Sequence, residues 1–171
     1  SGGSGSGKSF LTNILLMQML KENPKIFIVD IGGSYRKLAD NLSGQYIPLG
    51  VDSALSLNPF DLAVGETEPS SQKVKFILSL VEIMTKEDSE PRLGKLERAE
   101  IENAIQRVYQ KCSQPTMSDL RKILLEHSAP QISRYGKILG TWCGTTPYGK
   151  FIDRPTTIQL SRSIVCFDLK G

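Results

Sequence analysis

Gly2, Gly7, Lys8 and Ser9 stand in the spacing Gly-x-x-x-x-Gly-Lys-Ser, inside the run Gly2-Gly3-Ser4-Gly5-Ser6-Gly7-Lys8-Ser9. Each residue type has a mechanical use. Glycines accept the backbone geometry that turns successive N–H groups inward around an anion. Lys8 brings a positive charge, Ser9 a hydroxyl for a hydrated divalent cation, and a helix starting behind them aims its positive end at the same point. This is a Walker A loop, whose chemistry is to hold the phosphates of ATP or a similar nucleotide, with magnesium on Ser9. Gly/Ser repeats also make flexible linkers. The context favours the phosphate loop, because Lys8-Ser9 run at once into a helical pattern and then a strand of the buried type.

Splitting a triphosphate also needs a carboxylate at the end of an apolar strand to hold the magnesium shell. Asp30 closes Ile26-Phe27-Ile28-Val29, and Asp168 closes Ile164-Val165-Cys166-Phe167. Neither is followed by a second carboxylate, and a helix cap or loop contact is the competing use of each. Asp30 is carried forward as a candidate magnesium ligand beside Ser9; no catalytic residue is assigned. His127 reads as a charge at a helix C-terminus, and Cys112 and Cys166 as core. Lys95, Arg98, Arg107 and Lys111 alternate with Glu97, Glu100 and Glu102, the pattern of a solvated helix face rather than a nucleic-acid surface. Arg154 and Arg162 flank the late strands, where fingers acting across an oligomer would sit.

The elements that must position the loop follow an α/β order. Phe10, Leu11, Ile14, Leu15, Met17 and Leu20 predict a helix ending near Asn23-Pro24. Ile26–Val29 predicts a strand covered on both faces, Ile31-Gly32-Gly33-Ser34 a turn, and Tyr35 to Asn41 a short helix. Gln45-Tyr46-Ile47-Pro48-Leu49 predicts an edge strand, the place that tolerates a proline. Leu57-Asn58-Pro59-Phe60 reads as a turn with apolar flanks.

After residue 70 the period changes to a helical one, with Ser70 and Ser71 as N-cap candidates. Val74, Ile77, Leu78, Val81 and Met84 form one stripe, and Ile101, Ala104, Ile105, Val108, Tyr109 and Cys112 another. Thr116 and Asp119 are spaced as a capping box for a third helix, and Pro130 to Trp142 predicts a fourth. Strand character returns at Thr157-Ile158-Gln159-Leu160 and at Ile164–Phe167. The organisation is therefore a first core part at 1–65, an inserted helical subdomain at 66–147 and a return to core strands at 148–171.

The 171 residues, 39% apolar and 23% charged, suit one globular core with an insertion. A net charge of +3 is too small and scattered to argue for nucleic acid by itself. Three well-separated cysteines, Cys112, Cys143 and Cys166, with one histidine offer no metal cluster and suit a reducing compartment. No apolar run is long enough to span a bilayer, and residue 1 opens into glycines rather than a secretory leader.

Several segments together resemble the ATPases of type IV secretion and conjugative-transfer assembly, the TraC-like family. They are Gly2 to Phe10, Ile28-Val29-Asp30 with Gly32-Gly33-Ser34-Tyr35, Leu57-Asn58-Pro59-Phe60, Tyr148-Gly149-Lys150-Phe151-Ile152-Asp153, and Val165-Cys166-Phe167-Asp168-Leu169. The resemblance implies a RecA-like P-loop NTPase core with a helical insertion, and ATP and magnesium as ligands. It also implies a homo-oligomer that meets other secretion-channel subunits at the cytoplasmic face of a bacterial inner membrane. ATP hydrolysis there drives pilus assembly or substrate transfer. In that family a strand precedes the phosphate loop, and the acidic Walker B strand lies beyond the last strand seen here. The expectation is a fragment incomplete at both ends, in which Asp168 is not the Walker B acid and nucleotide binds without turnover. Two other functions stay open: a fragment of a hexameric DNA-translocating ATPase, and a non-hydrolysing nucleotide-binding module whose helices dock a partner.

Overall fold

Ile26-Phe27-Ile28-Val29 does enter a sheet, and what surrounds it differs in one respect from the sequence pattern. The structure is a computed structural model and describes residues 14–18, 26–30, 45–49, 54–62, 64–158 and 164–169. The strands are β1 (Ile14–Gln18), β2 (Ile26–Asp30), β3 (Gln45–Leu49) and β4 (Ile164–Leu169), in the spatial order β1-β2-β4-β3. β4, from the far end of the chain, runs parallel to both β2 and β3. β3 ends the order, so the missing N–H of Pro48 has an edge on which to face away from the ladder.

β1 overturns the helix expected from Phe10 to Leu20. Ile14 to Gln18 pair antiparallel with β2, Ile14 opposite Asp30 and Gln18 opposite Ile26. Ile14-Leu15-Leu16-Met17 is a continuous apolar run, which satisfies a helix stripe and a buried strand equally, so periodicity could not separate them. A helix directed at the phosphate loop therefore has no counterpart in residues 14–18. The expected strand at 157–160 is also absent where it is described, since Thr157 and Ile158 are irregular. The phosphate loop, the Ile31–Ser34 turn and the Tyr35–Asn41 helix lie outside the described residues.

A second compact unit spans Ser56–Thr157. It takes in 56–65 and 148–157 as well as the helical block. Its helices are α1 (Ser71–Thr85), α2 (Lys95–Lys111), α3 (Met117–Leu125), α4 (Pro130–Ile138) and α5 (Gly149–Ile152), with a 3-10 turn at Leu139–Trp142. Local chemistry sets their starts. The Ser70 hydroxyl accepts from the Lys73 N–H at 3.0 Å, and Thr116 and Asp119 form a reciprocal capping box. Proline opens α4, where its missing N–H is not needed.

The apolar stripes meet as one core. Ile77 and Val81 of α1, Ile101, Ile105 and Val108 of α2, Met117, Leu120 and Leu124 of α3, and Leu139 are all fully buried. Gly136 lets α4 approach α3, because a Cβ there would stand 2.9 Å from the Leu125 backbone nitrogen. Cys112, expected in the core, is half-exposed at the C-cap of α2, where its stripe has run out, and Cys143 is buried.

Candidate functional site

Two carboxylate positions far apart in sequence meet at one edge of the sheet. Parallel register pairs Asp30 of β2 with Asp168 of β4, and Pro48 of β3 pairs with Asp168 from the other side. Adjacent strands lie ~4.8 Å apart, so these positions are immediate neighbours. The edge is the carboxyl-terminal one of the parallel strands, where open α/β sheets bind their ligands. Carboxylate oxygens are the donors that magnesium prefers, so this residue pair fits the cation in donor chemistry. Among the described residues no group of three or more His, Cys, Asp or Glu is placed to hold a metal. Of the nucleotide-binding positions read from sequence, the structure places Asp30. Gly2, Gly3, Ser4, Gly5, Ser6, Gly7, Lys8 and Ser9 lie outside the described residues.

The helical unit has a second polar constellation, at the point where the chain enters and leaves it. The Ser56 N–H donates to the Thr157 hydroxyl at 3.0 Å, and the Thr157 N–H returns a bond to the Ser56 carbonyl at 3.0 Å. The Leu57 N–H donates to the Phe151 carbonyl at 2.8 Å, and the Asn58 N–H to the Thr156 hydroxyl at 2.9 Å. The Thr156 hydroxyl in turn donates to Asp61. Asn58, 4% exposed, is the keystone: its side-chain amide donates to the Pro115 carbonyl at 2.9 Å and its oxygen accepts from the Phe60 N–H at 3.0 Å. These bonds tie the first and last residues of the unit together, and they surround a cavity of about 600 Å³ lined partly by Asp61, Glu66, Ser113 and Thr156.

Two long side chains reach the same turn. The Tyr109 hydroxyl donates to the Phe60 carbonyl at 2.6 Å with its ring tilted against Phe60, and the Lys73 ammonium donates to the Pro59 carbonyl at 3.3 Å. Burial lowers the Lys73 pKa to about 8, against the opposing pull of Asp61 and then Glu66. Burial raises the Tyr109 phenol, and the Asp61 charge adds to it. The Cys143 thiol is raised to about 11, mainly by burial and next by Asp153. That value makes it a poor nucleophile at neutral pH.

The remaining candidates resolve individually. Asp153, half-buried, accepts from the Ser118 N–H at 2.9 Å and the Gly144 N–H at 2.7 Å, and so anchors the 144–148 loop to the start of α3. His127 takes the Ala129 N–H on Nδ1 at 3.0 Å, which leaves Nε2 to donate to Glu100 at 3.1 Å. It is a clamp between α2 and the α3–α4 turn. Arg154 is exposed, and Arg162 lies outside the described residues. The sequence pattern marked Leu57-Asn58-Pro59-Phe60 as a turn but gave no sign of the roles of Asn58, Lys73 or Thr156. Their partners are distant in the chain, and the one available signal was an asparagine and a proline set between apolar residues.

The family described as the TraG P-loop domain matches residues 1–121. Among solved structures, VirB4 of Thermoanaerobacter pseudethanolicus superposes on 90% of this chain with a TM-score of 0.54 and 16% identity. The chain covers 42% of that protein's length. No curated protein matches.

Proposed function

The chain belongs to the TraG P-loop domain family, and from that membership we propose that it is the ATP-binding part of a type IV secretion or conjugative-transfer ATPase. Its fold is that of a P-loop NTPase. In this reading Gly2 to Ser9 cradle the phosphates of ATP, Lys8 neutralises the β and γ oxygens, and Ser9 holds magnesium with Asp30 in its shell. Phosphoryl transfer to water would be the chemistry of the parent ATPase, to which Gly2 to Ser9 and Asp30 would contribute position and charge.

The single observation that carries the reading is that the family match spans residues 1–121, from the phosphate-loop residues past α1 and α2 into α3. The finer organisation is a RecA-like core at 1–65 and 148–171, interrupted by a helical subdomain at 66–147. The bonds that join 56–57 to 151 and 157 support an insertion of this kind, because an inserted body must leave and rejoin its host at adjacent points, but they close a unit wider than 66–147, one that reaches Ser56 and Thr157. TraC-like work follows: a homo-oligomer at the cytoplasmic face of a bacterial inner membrane, powering pilus assembly or substrate transfer with other channel subunits. Among the described residues no helix is long and apolar enough to cross a membrane.

Calorimetric titration with magnesium-ATP tests the site. Lys8→Ala should weaken binding by more than about tenfold, or ~1.4 kcal/mol. Asp30→Ala should reduce the magnesium dependence and leave metal-free nucleotide affinity unchanged. Unaltered affinity in the lysine variant would remove the site assignment.

A further inference from the structure

A groove of about 470 Å³ runs between α1 and α2, lined by Lys75, Leu78, Ser79, Lys95, Arg98, Ala99 and Glu102. Three of its lining groups are cationic and one is anionic. Lys75 and Lys95 are exposed and make no hydrogen bond or ion pair among the described residues. Arg98 is more unusual. Its Nε is buried and has no hydrogen-bond acceptor. Arg98 is ion-paired with Glu82, whose Oε2 lies 3.7 Å from that Nε, too far for a hydrogen bond, and already accepts from the Leu93 N–H at 2.9 Å. A buried N–H without an acceptor is destabilising unless something supplies one.

We propose that this groove binds acidic side chains of a polypeptide partner. A glutamate entering it would lay its methylenes on Leu78 and Ala99 and set its carboxylate among Arg98, Lys75 and Lys95. The guanidinium offers the forked donor geometry that matches a carboxylate. A nucleic-acid strand fits less well. It needs a continuous basic track and stacking surfaces, whereas Glu97, Glu100 and Glu102 interrupt the charge of α2 and no aromatic ring lines the groove. The proposal is independent of nucleotide binding, since it uses no residue of the phosphate loop or the sheet edge.

Fluorescence anisotropy of a labelled oligoglutamate peptide, titrated with the whole chain at low salt, tests this directly. The reversal Lys75→Glu with Lys95→Glu removes both unpaired lysines from exposed positions and should weaken binding by about tenfold or more. The control, Arg107→Glu with Lys111→Glu, makes the same change in net charge on exposed positions elsewhere on α2. It should alter binding less than about twofold. Arg98→Lys, which keeps the charge and loses the fork, should weaken binding severalfold. Circular dichroism and thermal melting establish that each variant is folded. Absence of saturable peptide binding, or equal loss in the two reversals, would overturn the proposal. So would displacement of the peptide by equimolar inorganic phosphate, or a short single-stranded oligonucleotide that binds more tightly than the peptide and loses that binding in Lys75→Glu/Lys95→Glu.

Discussion

The neck of the helical unit and the groove between α1 and α2 are both polar, yet they answer opposite questions about their polar groups. At the neck every bond has its other half: the Asn58 amide meets the Pro115 carbonyl, the Thr156 hydroxyl meets Asp61, and the Lys73 ammonium meets the Pro59 carbonyl. In the groove, Lys75 and Lys95 have no partner among the described residues and the Arg98 Nε has no acceptor. Satisfied buried polar groups specify structure, because breaking one leaves another stranded. Unsatisfied ones mark where a ligand can gain. The neck is therefore the structural site of this unit and the groove its binding site.

Substitution at the neck should destabilise far more than substitution in the groove. Asn58→Ala leaves the Pro115 carbonyl and the Phe60 N–H without partners in the interior and should lower unfolding free energy by about 4 kcal/mol in urea denaturation. A loss under about 1 kcal/mol would mean that water replaces the amide and that the neck is not a closed network.

Lys73 gives the next largest effect, through pH. Its folded pKa of about 8 lies below the unfolded 10.5, so the unfolded chain binds the extra proton between those values and stability rises with pH across that window. Cys143 and Tyr109, both raised, act in the opposite direction above about pH 9 and pH 10. Comparison with Lys73→Met separates the contributions. Wild type should gain about 3 kcal/mol on the variant from pH 8 to 10.5, read from denaturation midpoints at several pH values. A constant difference would show that the ammonium is solvated.

Tyr109→Phe removes one hydrogen bond to the Phe60 carbonyl and keeps the ring contact, so about 1 kcal/mol is expected in the same assay. The groove reversal Lys75→Glu with Lys95→Glu comes last, with a change below about 0.5 kcal/mol, since neither lysine has a partner to lose. A larger loss there would erase the distinction between the two regions.

Some of this was legible in the residues. The caps at Ser70 and Thr116, the stripes of α1 and α2 and the edge position of the strand holding Pro48 follow from interactions within a few residues or from one side chain's missing donor. The Ile14–Gln18 segment was not legible, because the apolar run Ile14–Met17 has no alternation and obeys both periods, and only its pairing with Ile26–Asp30 selects the strand. Cys112 was placed in the core by extending the α2 stripe one turn beyond Val108, its last buried residue, to the C-cap position, where the packing does not continue.

By itself the sequence determined the phosphate-loop motif and the starts of α1 and α3, since both are set by residue type at short fixed spacing. Tertiary structure alone decided that Asp30 and Asp168 share a register position, and that Asn58 bonds across 57 residues to Pro115 and 98 to Thr156. It also decided that the Arg98 Nε is left without a hydrogen-bond acceptor. The physical reason is that satisfaction of a hydrogen bond is a property of two groups and the space between them. A sequence names the groups, and only the folded chain sets which of them come within reach.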